Sequence, residues 1–136
     1  MAITVYRKAH FNAAHRLYKK EWSDAKNAEI FGKCSNPNYH GHNYKLIVGV
    51  TGEIDVETGF VIDLGLLKKI IYEEVEVLFD HKNLNIEVED FKNTNPTVEN
   101  ISIVIWKKLK KRLHSKYSLS VKLYETPRNF VVYNGD

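Results

Sequence analysis

Along the first segment Ile3, Val5, Ala9, Phe11, Ala13 and His15 share one parity, and mostly polar residues separate them. Alternation with period two marks a strand with one buried face, which predicts a strand over Ile3–His15 with His15 closing the apolar side. YKKEWSDAKNAEIFG breaks that pattern and predicts a short inserted helix, capped by Ser23 or Asp24 and stopped by Gly32. Alternation resumes at His40, His42, Tyr44, Leu46, Val48 and Val50, a second strand to about Thr51 whose two histidines point the same way. DVETGF reads as a turn and Phe60–Ile62 as a short extended piece. Asp63 then caps a long helix with Leu64, Leu67, Ile71, Val75 and Leu78 as its stripe, ending near FDHKNLN. A polar loop leads to a second long helix in NTNPTVENISIVIWKKLKKRL. Asn95 or Thr97 caps it, Pro96 stands in its first turn, and Val98, Ile101, Ile105 and Leu109 face the core. SLSVKLYET and NFVVYNG close the chain as two strands, a hairpin through Pro127, Arg128 and Asn129.

The order β, β, α, α, β, β predicts an α+β fold, a four-stranded antiparallel sheet with two long helices on one face. Such a sheet exposes unpaired backbone at its edges, a template for pairing with a second copy. The 136 residues are 43% hydrophobic, enough for one core, so residues 1–136 are expected to form a single domain. No apolar run approaches the ~18 residues of a spanning helix, and the opening MAITVYRKAHF does not resemble a signal peptide. The expectation is a cytoplasmic protein without a membrane partner. A lone cysteine excludes an internal disulfide. The net charge of +3 owes much to WKKLKKRLHSK, whose lysines fall away from the helix stripe. That is a solvated helix face rather than a nucleic-acid surface.

His40 and His42, one residue apart on a strand, point the same way, and zinc accepts imidazole nitrogens in a tetrahedral shell. His15 is the best third ligand, because an antiparallel neighbour beginning at His40 brings the three together. His10 has the opposite parity, and His114 ends the basic helix as a solvated side chain. Three protein ligands leave one position open for water or substrate. Cys34, in GKCSNPNYHGHNY, is a small buried hydrophobe, a fourth ligand closing the shell, or a base or nucleophile whose pKa Lys33 lowers. Asp80 and His81 form either a turn pair or a carboxylate that orients an imidazole. Glu125 follows Leu119, Val121 and Leu123 on an apolar face. It closes an ion pair there or accepts paired N–H donors from a guanidine-like ligand edge. Glu99, in the first turn of the second long helix, suits the helix dipole.

Taken together, FNAAHRL, FGKCSNPNYHGHNY, DHKNLN, PTVEN and LYET followed by VVYNG resemble the 6-pyruvoyl-tetrahydropterin synthase family, which includes 6-carboxytetrahydropterin synthase. The resemblance spans nearly the whole chain. It implies a T-fold in which three subunits join sheet edges into a barrel and two trimers stack as a homohexamer. By resemblance His15, His40 and His42 hold the catalytic Zn2+, Cys34 is the proton-abstracting base, and Asp80 and His81 complete a relay that can serve a neighbouring chain. Glu125 anchors the pterin, helped by Thr97 and Glu99. The implied substrate is 7,8-dihydroneopterin triphosphate, converted to 6-pyruvoyl-tetrahydropterin with elimination of triphosphate. The five residues between Cys34 and His40, with LYET and VVYNG, resemble the pyruvoyl branch. Val98, and Asn95 with Pro96, resemble the carboxy branch of queuosine and 7-deazaguanine biosynthesis. Two other classes stay open at this point: a zinc-stabilised non-catalytic binding module with a closed Cys34–His15–His40–His42 shell, and a Cys–His hydrolase.

Overall fold

The computed structural model describes residues 1–136. Strand β1 (Ala2–His15) leads through helix α1 (Asp24–Phe31) to β2 (His40–Glu53), which runs back along all of β1. Helical segments α2 (Leu64–Ile71) and α3 (Val77–Phe79) follow, joined by a wide π turn over Tyr72–Glu76. Next come the two-residue strand β3 (Lys82–Asn83), the short helix α4 (Leu84–Glu87) and the long helix α5 (Val98–Arg112). The chain ends with β4 (Ser118–Tyr124) and β5 (Phe130–Tyr133).

The sheet order is β3-β1-β2-β4-β5. The four longer strands are mutually antiparallel, as expected, but β3 lies parallel to β1 against Ala13 and Ala14. The predicted four-stranded antiparallel sheet is therefore a five-stranded mixed sheet, open at both edges within the chain. The addition has a local cause: the chain leaving α3 is tied to Asn12 and runs briefly alongside β1 before turning into α4.

Period two decides what the sheet buries. Phe11, Ala13, Tyr44, Leu46, Val48, Val50, Leu119, Val121 and Leu123 face the helices and are buried. Lys8, His10, Asn12, Asn43 and Lys45 face outward. Each large apolar side chain taken from water on the inner face contributes about 1.5–3 kcal/mol. At its centre Phe11 stacks on Tyr44 with ring centroids 4.9 Å apart, and Phe79 meets Phe11 edge-on at 5.5 Å.

Caps fall where short polar side chains were expected. Ser23 accepts from the Lys26 amide, Asp63 from Gly65 and Thr97 from Asn100. Gly32, at φ +59°, ends α1 in a conformation that L side chains rarely adopt. Three expectations are corrected. Pro96 precedes the Thr97 cap instead of sitting in the first turn of α5. Phe60–Ile62 forms bends that bury Val61 and Ile62, not an extended strand. The stripe of the first long helix changes phase: Leu67, Ile70, Ile71, Val75 and Phe79 are buried, while Leu64 and Leu78 are 49% and 39% exposed. The Val77 amide bonds the Tyr72 carbonyl five residues back, so one extra residue enters the turn and Phe79 takes the inward place of Leu78.

Two of the four lysines of α5 make local contacts, while Lys107 and Lys111 are exposed. Lys108 pairs with Asp90 at 3.1 Å and the Lys110 ammonium donates to the Tyr117 carbonyl. No helix is long and apolar enough to cross a membrane.

Candidate metal centre and active site

The register of β1 and β2 sets His15 opposite His40 and Ala13 opposite His42, so all three imidazoles leave the same face at one end of the sheet. Ring centroids lie 4.5 Å (His15–His40), 5.1 Å (His15–His42) and 5.0 Å (His40–His42) apart. One donor nitrogen from each falls within 4.8 Å of the others. A tetrahedral ion with bonds of about 2.0–2.1 Å draws its donors to about 3.3 Å of one another, which asks only small side-chain rotations of this set.

For His15, hydrogen bonding fixes which nitrogen is offered. His15 Nδ1 donates to the Pro96 carbonyl at 2.8 Å, leaving Nε2 with its lone pair. His15 Nε2, both ring nitrogens of His40 and His42 Nε2 are buried without a hydrogen-bond partner. Buried polar atoms are normally paired, so these orphans fit a cation held between them. Burial depresses the His15 pKa from 6.5 to about 4, the Pro96 carbonyl partly opposing and His40 and His42 adding to the drop. Burial and the neighbouring His42 lower His40 as well. Neutral rings at neutral pH are the form that binds a metal. Tyr44, missed by the sequence reading although it shares the histidine parity, is fully buried beneath the cluster. Its hydroxyl lies 3.3 Å from His15 Nδ1 and its ring meets His42 edge-on at 5.6 Å.

Glu125 stands just beyond β4, its carboxylate 3.8 Å from His15 Nε2 and 21% exposed. The Asn129 carbonyl receives its backbone amide at 3.0 Å, closing the hairpin that carries it. Cys34 lies in the tight turn Gly32–Ser35, half-buried, and its sulfur is outside the group of donors that can share one ion. Burial pushes the thiol pKa up and the Glu125 charge pushes it further. The expected lowering by Lys33 is thus reversed, because the lysine is exposed whereas the thiol is partly withdrawn from water beside a carboxylate.

Asp80 and His81 do pair, with His81 Nδ1 2.9 Å from Asp80 Oδ2. The Asn12 amide donates to the other carboxylate oxygen at 2.8 Å, and the His81 amide donates to the Asn12 carbonyl. The Asn12 bond chiefly, then His81, holds the Asp80 carboxyl below the usual range. The pair is not among the groups packed around the triad of its own chain. It projects from the β1 edge, with the His81 side chain 83% exposed and His10 as the other charge felt by Asp80. Thr97 is spent on its cap beside Pro96, next to the triad, whereas the Glu99 side chain is exposed to solvent.

An open α+β sheet with helices on one face carries, at the sheet end, a three-imidazole cradle that could hold a metal ion, the layout of a T-fold protein. Residues 4–136 match the family model described as 6-pyruvoyl tetrahydropterin synthase. The 6-pyruvoyl tetrahydrobiopterin synthases of Pongo abelii and Homo sapiens are 50% and 48% identical over 132 residues, 97% of this chain and 91% of each relative. The solved structure of Caenorhabditis elegans 6-pyruvoyl tetrahydropterin synthase superposes with a TM-score of 0.94 at 43% identity, covering 100% of this chain and 97% of that one. The chain belongs to the 6-pyruvoyl tetrahydropterin synthase family.

Proposed function

We propose that this chain converts 7,8-dihydroneopterin triphosphate to 6-pyruvoyl-tetrahydropterin, releasing inorganic triphosphate. The observation that carries the reading is a triad of imidazoles with buried, partnerless nitrogens, the Glu125 carboxylate beside it and the Cys34 thiol outside the donor group. The similarity to pyruvoyl-type synthases at about half identity, over nearly the full length of both chains, supports this branch over the carboxy branch. The closed binding module loses support because Cys34 stands outside the donor group.

Each group has a part in this scheme. Glu125 accepts two N–H donors from the guanidine-like edge of the pterin, with Thr97 and Glu99 bordering the same end at the start of α5. A zinc ion held by His15, His40 and His42 would supply Lewis acidity to the side-chain hydroxyls of the substrate. Cys34 removes a proton from the side-chain carbon next to a hydroxyl. Burial and then the charge of Glu125 raise the thiol pKa, so Cys34 rests protonated and must first give up its proton to serve as the base, which a cation held by the triad would favour. The electron pair left on carbon expels triphosphate as its C–O bond breaks, and tautomerisation within the product needs no external oxidant. Asp80 fixes His81 so that Nε2 is free to relay protons.

The exposed dyad points to a shared site. Because β3 covers β1 only at Ala13 and Ala14, the rest of that β1 edge is open, as is β5 at the other side. In the scheme these edges pair between copies, three sheets close a barrel, two such trimers form a homohexamer, and Asp80 and His81 of one chain reach the Cys34 of another. The test is incubation of zinc-loaded protein with the substrate, followed by mass spectrometry. A pyruvoyl pterin with inorganic triphosphate, abolished by a chelator, is expected. A carboxylated pterin with acetaldehyde assigns the chain to the other branch, and no triphosphate release refutes both.

A further inference from the structure

One short segment indexes three parts of the site. Asn12 holds the Asp80–His81 pair, His15 belongs to the triad, and Arg16 and Leu17 grip the Cys34 turn. The Leu17 amide donates to the Cys34 carbonyl at 2.8 Å, and Arg16 Nε donates to the Ser35 carbonyl at 2.8 Å. Arg16 is itself fixed from outside: its amide donates to Asn85 Oδ1 at 2.8 Å, and Asn85 Nδ2 donates to its carbonyl at 2.9 Å. The guanidinium is packed 3.9 Å above the Tyr18 ring, which restricts its remaining freedom. Asn85 lies four residues past His81, on α4. The main chain beneath both dyad and thiol is therefore joined through one doubly bonded amide.

From this geometry we propose that Arg16 and Asn85 are positioning residues that set the place of Cys34 relative to the triad. The proposal rests on Cys34 acting as the base, but not on any contact of Arg16 or Asn85 with substrate. Asn85 matches both free backbone groups of Arg16, one donor with one acceptor, as only a primary amide does at that place. Arg16 in turn offers a fixed Nε–H that a lysine ammonium does not reproduce in direction. The turn carrying Cys34 has few other long-range anchors of its own: Ser35 Oγ bonds only the local Gly32 carbonyl and the Asn36 amide only that of Lys33. Releasing the clamp frees the thiol without touching a metal donor.

The experiment compares zinc-loaded wild type with Arg16→Lys and Asn85→Ala in the full chain. Zinc content, the iodoacetamide alkylation rate of Cys34, and kcat and KM for 7,8-dihydroneopterin triphosphate are measured at one pH well below the unfolding temperature. A displacement of about 1 Å costs up to about 100-fold in rate. The expected result is kcat lowered about 10- to 100-fold with KM within about twofold, zinc retained, and alkylation several-fold faster. Asn85→Asp keeps the acceptor for the Arg16 amide but not the donor, and should fall between wild type and Asn85→Ala. Where Arg16→Lys folds poorly, the two Asn85 variants decide alone. Wild-type alkylation and kcat in Arg16→Lys and Asn85→Ala overturn the proposal. So does an Arg16→Lys that keeps both while Arg16→Met raises KM, since the guanidinium would then act as a charge on the substrate. If wild type shows no turnover, the functional reading fails while the alkylation contrast still decides the clamp.

Discussion

Acid should destabilise the metal-free protein through His15, by an amount the structure sets. The ring is buried, its Nε2 has no hydrogen-bond partner, the Glu125 carboxylate standing 3.8 Å away, and its pKa is depressed from 6.5 to about 4. Below pH 6.5 the unfolded chain takes up a proton that the folded chain refuses, so stability falls as pH falls from 6.5 towards 4. At roughly 1.4 kcal/mol per pH unit, the loss from this one group is about 2 kcal/mol at pH 5 and about 3 kcal/mol once pH drops below 4. His40, shifted in the same direction, adds to the slope. The assay is urea denaturation of chelator-treated protein at pH 7.5 and 5.0, for wild type and His15→Gln. The variant removes the titrating ring, so its loss over this range should be smaller than that of wild type by about 2 kcal/mol, or roughly 6–10 °C in Tm. Equal losses in the two proteins, within about 0.5 kcal/mol, would refute the reasoning.

Cys34→Ala should keep fold and zinc content while turnover drops at least about 100-fold, the usual scale of a lost general base. Metal analysis and a steady-state assay check both halves. Mixing Cys34→Ala with His81→Ala, each inactive alone, should restore part of the activity after subunit exchange if sites are shared between copies; no recovery in exchanged oligomers counts against the shared site. Phe79→Ala should cost about 3–5 kcal/mol in denaturant titration, as expected for emptying a fully buried aromatic site. Leu78→Ala, at a place 39% exposed, should cost less than about 1.5 kcal/mol. The reverse order would mean that the wide turn at Tyr72–Glu76 does not set the phase of the helix.

The parts of the molecule written in period two were legible in the sequence. Ile3 to His15 and His40 to Val50 each declare a buried face, and antiparallel pairing of the two is enough to collect the triad. Other features depend on atoms that carry no residue identity. The bond from His15 goes to the Pro96 backbone carbonyl, and the displacement of Leu78 by Phe79 follows from one hydrogen bond spanning five residues. Neither leaves a compositional trace. The direction of the Cys34 shift is not legible because a lysine next in sequence says little about surroundings in space: burial raises the thiol pKa first, and Glu125, far along the chain, adds to it. The Arg16–Asn85 clamp spans 69 residues and joins two types common in loops, so no spacing rule announces it. The dyad was recognised as a pair, yet its exposure at the β1 edge required coordinates.

X-ray absorption at the zinc edge of the loaded protein examines the metal shell itself. An open three-imidazole cradle with a free thiol predicts nitrogen or oxygen scatterers alone, at about 2.0–2.1 Å, and an unchanged spectrum in Cys34→Ala. A sulfur scatterer near 2.3 Å that disappears in that variant would contradict it, because the shell would be closed and Cys34 unable to serve as the base.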